Sequence, residues 1–338
     1  MKNILSPKVA LLALFISLLT PLTTYGAESS PTCKVDDINC YQKYMEKLIA
    51  TKPVESVLSE FATIASKTNG LNGQCNNYGR FIGAKVYQKY KGKALKYHSD
   101  VCGLSFAYGL LAEMGRAEGK TGLNKALQYC KEDKNIAACA YGVGNSMAQA
   151  KVGAKEINAI CVKNYPESSG MSYEDSPQGI CVLGWVSAMS ELAPSATYST
   201  IKKAVGLCTP MSGKARDACI GEASFTYTYI NNPTSDVRLK RVEELAKNCT
   251  SSSEICARFV GKALNDYQLY AWRPDLSKKS EATKLAALIT KLCSGPTASF
   301  CIQGFVYANS VHTSRENSQK ICAYLTGKSA ADCRRFAL

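Results

Sequence analysis

Apart from cysteine, this chain carries few residues able to do chemistry. Its two histidines, His98 and His312, stand far apart and offer little to a Ser-His-Asp triad or a His-rich metal site. His98 follows Lys96 and Tyr97 near an expected helix end, and His312 falls in an expected connection from Ser310 to Ser314. Both read as polar surface positions rather than general bases. Glu113 with Glu118 and Glu174 with Asp175 form acidic pairs. No sequence signal places either pair in a cleft, so they read as solvated acids rather than glycosidase carboxylates. Thr326-Gly327-Lys328-Ser329 imitates the end of a phosphate-binding loop. Cys322 stands where that loop needs its earlier glycine, however, and no strand is expected before it.

Cysteine is abundant, with sixteen copies and no Cys-x-x-Cys of the kind used by zinc knuckles and redox sites. The even count permits eight disulfides. The cysteines recur as couplets, one closing an amphipathic segment and the next opening another. These are Cys130 with Cys139, Cys161 with Cys181, Cys208 with Cys219, Cys249 with Cys256, Cys293 with Cys301, and Cys322 with Cys333. Pairing within a couplet needs no unusual topology, because a short turn keeps the Cα atoms within disulfide reach. Cys33 then falls to Cys40, and Cys75 to Cys102 by a longer bridge.

The elements that must position these cysteines are helices. Segments ending in Cys carry Ala126, Ile157, Ala204, Leu245 or Ile289 four residues before it, which sets an apolar residue and the Cys on one helical face; Ser318 is the departure. Segments beginning with Cys continue as mixed apolar and aromatic stretches. Their spacing gives a period near forty residues, enough for two helices and two connections. Asn231-Asn232-Pro233, Arg273-Pro274-Asp275, Ala193-Pro194-Ser195 and Ser294-Gly295-Pro296 supply turns. Ser224 to Ile230 is rich in β-prone residues, but its place after an opening Cys makes it helix. The expected fold is all-α, a solenoid of disulfide-stapled αα-hairpins over residues 75–338. Residues 27–74 form capping helices over Tyr41 to Ala50 and Pro53 to Lys67. Cys102 is expected to open a helix, and Cys333 to begin a truncated last one.

Segments such as KALQYCKEDKNIAACAYGVG and LITKLCSGPTASFCIQG resemble the disulfide-bridged Sel1-like repeats of secreted, cysteine-rich bacterial proteins. The likeness covers roughly Lys125 to Leu338 and rests on Cys-x-x-Gly at Cys139 with Gly142, Cys181 with Gly184, and Cys301 with Gly304. The Gly-x-Gly turn usual between the helices of such a repeat is missing. The resemblance implies TPR-like helical hairpins that bind a protein or ligand on an extended surface.

Lys2 and Lys8 flank an apolar run from Val9 to Leu22, and Thr24-Tyr25-Gly26 follows with small residues. This predicts a signal peptide over 1–26, cleaved after Gly26 or Ala27, and export to the periplasm or beyond the cell, where disulfides persist. Lys and Arg number 41 against 27 Asp and Glu, a net charge of +14 that becomes +12 without Lys2 and Lys8. This excess is too dispersed for a dedicated basic arm, which argues against nucleic acid and leaves anionic polymers or headgroups as alternatives. Tyrosines interleave with the densest lysines. Tyr87, Lys89, Tyr90 and Lys93, together with Tyr267, Tyr270, Trp272 and Arg273, form the candidate binding surface. No catalytic set, metal site or cofactor is expected. The expected role is an exported binding or scaffold module for a protein partner; the alternatives are an enzyme or binding protein acting on cell-wall glycan or another anionic polymer, and a secreted factor engaging a host surface.

Overall fold

The computed structural model describes residues 32–34, 37–68, 74–131, 135–167, 172–249 and 253–337, so the signal peptide expected over 1–26 lies outside the described residues. The described residues hold helices and no strand. The first two helices, α1 (Ile38–Thr51) and α2 (Val54–Lys67), form a hairpin against α3 (Cys75–Tyr90). There follow α4 (Ser105–Glu118), α5 (Lys120–Cys130), α6 (Ile136–Gln149), α7 (Ala154–Asn164) and α8 (Pro177–Leu192). Two short helices, α9 (Pro194–Thr197) and α10 (Ile201–Gly206), lead to α11 (Gly213–Tyr229) and α12 (Ser235–Cys249). The chain closes with α13 (Glu254–Tyr267), α14 (Lys279–Leu292), α15 (Ala298–His312), α16 (Arg315–Cys322) and α17 (Gly327–Phe336).

Helices start where the sequence supplies a cap. The side chains of Asp37, Asn135, Ser176, Thr200, Ser253 and Ser314 each accept a backbone N–H three residues on, satisfying a donor that the first turn leaves open. Asp37 caps onto Cys40 and Ser253 onto Cys256, so cap and disulfide fix the same turn.

All sixteen cysteines are paired, in the six bridges that the couplets predict and the two expected at the amino end, with Cα atoms 5.2 to 5.8 Å apart. Such complete oxidation fits a protein outside the cytoplasm. Among the described residues no helix is long and apolar enough to cross a membrane.

Packing follows a simple order. The helices α3, α4, α6, α8, α11, α13, α15 and α17 each pack on the next in that series, while α5, α7, α10, α12, α14 and α16 lie between or beside them. Glycine sets the closest crossings. A Cβ on Gly144 would lie 2.2 Å from the Cys181 carbonyl oxygen, and one on Gly184 2.2 Å from that of Tyr141. At α13 and α15 the relation repeats, with Gly261 against Cys301 and Gly304 against Arg258. These backbones approach more closely than any side chain would allow, which is what the glycine of Cys-x-x-Gly provides at positions 184 and 304. Two hydrophobic clusters fill the interior, and Ile201, Ile220 and Phe225 touch both.

Three local expectations are corrected. Cys102 lies in a turn at φ 59°, and the helix it was expected to open starts at Ser105 after Leu104, also at positive φ. Cys333 lies late in α17 rather than at its start, because Thr326 and Gly327 already turn the chain into the helix. The Ser310 to Ser314 connection is shorter than expected, since α15 runs through His312. The β-prone stretch from Ser224 is helical to Tyr229.

Candidate functional site

The surface proposed from lysine and tyrosine density does not assemble. Tyr87 is fully buried on α3 and its hydroxyl donates to Glu118, so it cannot meet a partner. Burial first, then the Glu118 carboxylate, pushes its phenol well above the ordinary range. Lys89 is exposed, but its Nζ donates to the carbonyl oxygens of Ile49 and Ala50 and so closes the last turn of α1. The Tyr90 hydroxyl reaches the Lys52 carbonyl at 3.5 Å, and its ring meets Tyr97 edge-on. Lys93 is exposed on the 3₁₀ turn Lys91–Lys96.

The second half of that surface belongs to the other hydrophobic cluster. Tyr267 is buried, accepts from Ser235 Oγ at 3.4 Å and packs on Trp272, while the π-helical turn Gln268–Trp272 leaves Tyr270 and Arg273 exposed. Helical spacing put these aromatic rings into the core because each helix has neighbours on several sides. His98 is exposed and meets Asp100 at 2.7 Å. Glu113 is held by Arg116 and Gln88, and Glu118 by Lys125 and Tyr87.

Of the acids at 174 and 175, Glu174 is not a solvated loop acid, while Asp175 is half-buried. Glu174 sits on the 3₁₀ turn Tyr173–Asp175, its side chain fully buried, and accepts Arg258 Nη1 at 3.1 Å from α13. Arg258 Nε donates to Gln303 of α15 at 2.9 Å, and the guanidinium covers the Phe300 ring. Beside this tie lies a cavity of about 410 Å³ walled by Lys262, Tyr307, Val311, Arg315 and Phe336, within the size range of ligand sites.

That cavity shares walls with two others. Asp175, Arg258 and Gln303 also line a polar space of about 710 Å³ that reaches Lys214, Asp217 and Glu254. Lys262, Tyr307 and Val311 also line an aromatic space of about 260 Å³ with Glu222, Phe225, Phe259 and Asp266. The three adjoin in a row along α11, α13 and α15, and this row is the candidate cleft.

Electrostatics differ along the cleft. In the aromatic space the Glu222 carboxyl is pushed up to about 7, chiefly by removal from water and against the opposing pull of Lys262. Its rim carries the Arg238–Asp266 ion pair, where burial lowers the guanidinium's affinity for its proton. The Lys262 ammonium lies 4.7 Å from the Phe259 centroid and 6.0 Å from that of Tyr307. Among the described residues no cluster of three potential metal-ligating His, Cys, Asp or Glu side chains occurs.

No family model matches this chain, nor does any curated protein or solved structure.

The cleft residues are spaced as helical stripes that sequence reading passed over. Arg258, Lys262 and Asp266 recur every fourth residue, as do Gln303, Tyr307 and Val311, and Glu222 precedes Phe225 and Tyr229 at three and seven. The first stripe is wholly charged with both signs, the second sets an amide, a ring and an apolar group in line, and the third joins a carboxylate to two rings, so no single residue type marks all three. The signal was the alignment of stripes across successive Cys-opening helices.

Proposed function

We infer that the protein is an exported binding module, a solenoid of disulfide-stapled αα-hairpins of the Sel1-like kind, whose extended cleft takes a segment of a protein partner in the cell envelope or outside the cell. The couplet disulfides, the hairpins and the stepwise packing of one helix on the next support the architecture. One observation carries the function. Tyr307 and Val311, 54% and 62% exposed, stand one turn apart on α15 and line both the central and the aromatic cavity. Among the described residues with large apolar side chains left exposed, they are the two that lie one turn apart on one helix. An apolar pair set in a groove of charged and hydrogen-bonding groups is the anatomy of a recognition site.

The test is a photo-crosslinking amino acid at position 307, with exposed position 162 on α7 as control, in protein kept in its native compartment. A defined protein adduct at 307, absent at 162 and lost on adding Val311→Glu, is the expected result. Equal labelling at both positions, or none at 307, would refute the reading.

A further inference from the structure

The cleft's charges and apolar groups specify more than a place to bind. In the central cavity Arg258 is engaged by Glu174, and the Asp175 carboxylate accepts the Ser172 hydroxyl. Two cations and the Asp175 carboxylate remain outside any ion pair. Among the described residues, neither Lys262 nor Arg315 is in an ion pair; Lys262 has Glu222 and Arg315 has Glu316 as longer-range attractions. Lys262 stands between the Phe259 and Tyr307 rings, which limits its side-chain freedom before any ligand arrives. The apolar wall is formed by Tyr307 and Val311 from α15 with Phe336 from α17, and Arg335 covers the Phe336 ring.

We propose that this cavity recognises an acidic side chain next to a large apolar side chain on an extended peptide segment of the partner, with Lys262 and Arg315 receiving the carboxylate and Tyr307, Val311 and Phe336 the apolar group. The proposal rests on the reading of the cleft as a protein-binding groove and adds the chemistry of its occupant. Charge complementarity selects an anion, since in the cavity lining the cations outside any ion pair, Lys262 and Arg315, outnumber the Asp175 carboxylate two to one. The apolar wall selects a hydrophobic body beside that anion, because burying it removes Tyr307 and Val311 from water. The two further cavities that share its walls favour an extended chain, able to reach beyond the central cavity, over a compact small molecule.

The experiment uses four fluorescent hexapeptides, acetylated and amidated so that neither terminus is charged, with Asp-Phe, Asn-Phe, Asp-Ser or Asn-Ser at the centre of a Gly-Ser frame. Binding to the oxidised protein is read by anisotropy at low and moderate salt. Asp-Phe should bind best, and each single change should weaken it about tenfold, the scale of one desolvated contact or charge-assisted hydrogen bond. Arg315→Gln, an exposed position, should erase most of the Asp over Asn preference, and Lys262→Gln should do the same if circular dichroism shows it folded. Tyr307→Ala should erase the Phe over Ser preference. Equal affinity for Asp-Phe and Asn-Phe, or an Asp preference that survives Arg315→Gln, would overturn the proposal. If no peptide binds while position 307 still crosslinks a partner, the proposal falls and the groove reading stands; if 307 crosslinks nothing, that reading falls as well.

Discussion

Arg258 and Glu174, far apart in sequence, meet at 3.1 Å and tie the turn at 173–175 to helix α13 on the wall of the cleft. The Glu174 side chain is fully buried and that of Arg258 is 13% exposed, so this pair lies out of water. Removing one partner strands the other. Arg258→Met should therefore destabilise the protein by about 3 kcal/mol, and the double change with Glu174→Gln should cost less than the sum of the two single changes. Urea unfolding of the four proteins checks this, and strict additivity would show that the contact carries no coupling.

Glu222 makes stability depend on pH in the sense opposite to a salt-bridged acid. Its folded carboxyl titrates near 7, above the ordinary value of about 4.3, so between these limits the folded chain holds a proton that the unfolded chain has lost. Stability therefore falls as pH rises through this window. Allowing for partial solvent access, the loss is on the order of 2 kcal/mol above pH 8. Glu222→Gln should be more stable than the parent by that amount at pH 8 and equal to it near pH 4. A difference that does not vary with pH would contradict the titration.

Ligand affinity should follow the same proton. Lys262 of α13 attracts Glu222, while Tyr141 of α6, Tyr198, and Tyr229 of α11 itself lie close enough to feel its charge. Protonating Glu222 removes an anion that competes for Lys262. The Asp-Phe peptide should thus bind a few-fold more tightly at pH 6 than at pH 8, and Glu222→Gln should abolish the difference. Tighter binding at pH 8 would be the contrary result.

Lys89 and Lys93 look alike in sequence but should behave differently. Lys89 Nζ donates to two carbonyls at the C-terminal end of α1, where a cation also meets the favourable end of the helix dipole. Lys89→Met should cost about 1 to 2 kcal/mol and speed proteolysis of the α1–α2 hairpin. Lys93→Glu should change stability by less than about 0.5 kcal/mol. Equal thermal shifts in the two variants would show that the Lys89 contacts contribute nothing.

The disulfides should matter in proportion to the loops they close. Cys249–Cys256 spans a separation of 7 and Cys75–Cys102 one of 27. Chain entropy assigns them about 2.4 and about 3.5 kcal/mol respectively. Paired Cys→Ala variants at each site, compared by denaturant midpoint, check this order. Non-reducing peptide mapping should recover all eight local pairs, and a chelator should leave the oxidised protein's melting unchanged while a reductant lowers it.

The sequence by itself determined the bridges and the helices, and the physical reason is locality. A couplet such as Cys249 and Cys256 has a sequence separation of 7, so its pairing follows from chain reach; an apolar residue four before a cysteine, such as Leu245, sets the helical face without help from distant residues. Which side chains face solvent was not local. Tyr87 and Tyr267 share their composition and spacing with Tyr270, yet packing buries the first two and leaves the third 53% exposed, because the π-helical turn after α13 rotates it away from the core. The cleft was less legible still. Glu174, Arg258, Gln303, Arg315 and Phe336 come from five separate elements, and only the packing of the 173–175 turn, α13, α15, α16 and α17 brings them to one wall. Their charges and rings were visible from the start, but the shared surface is created by tertiary packing, through helix crossings that Gly261 and Gly304 allow to be so close.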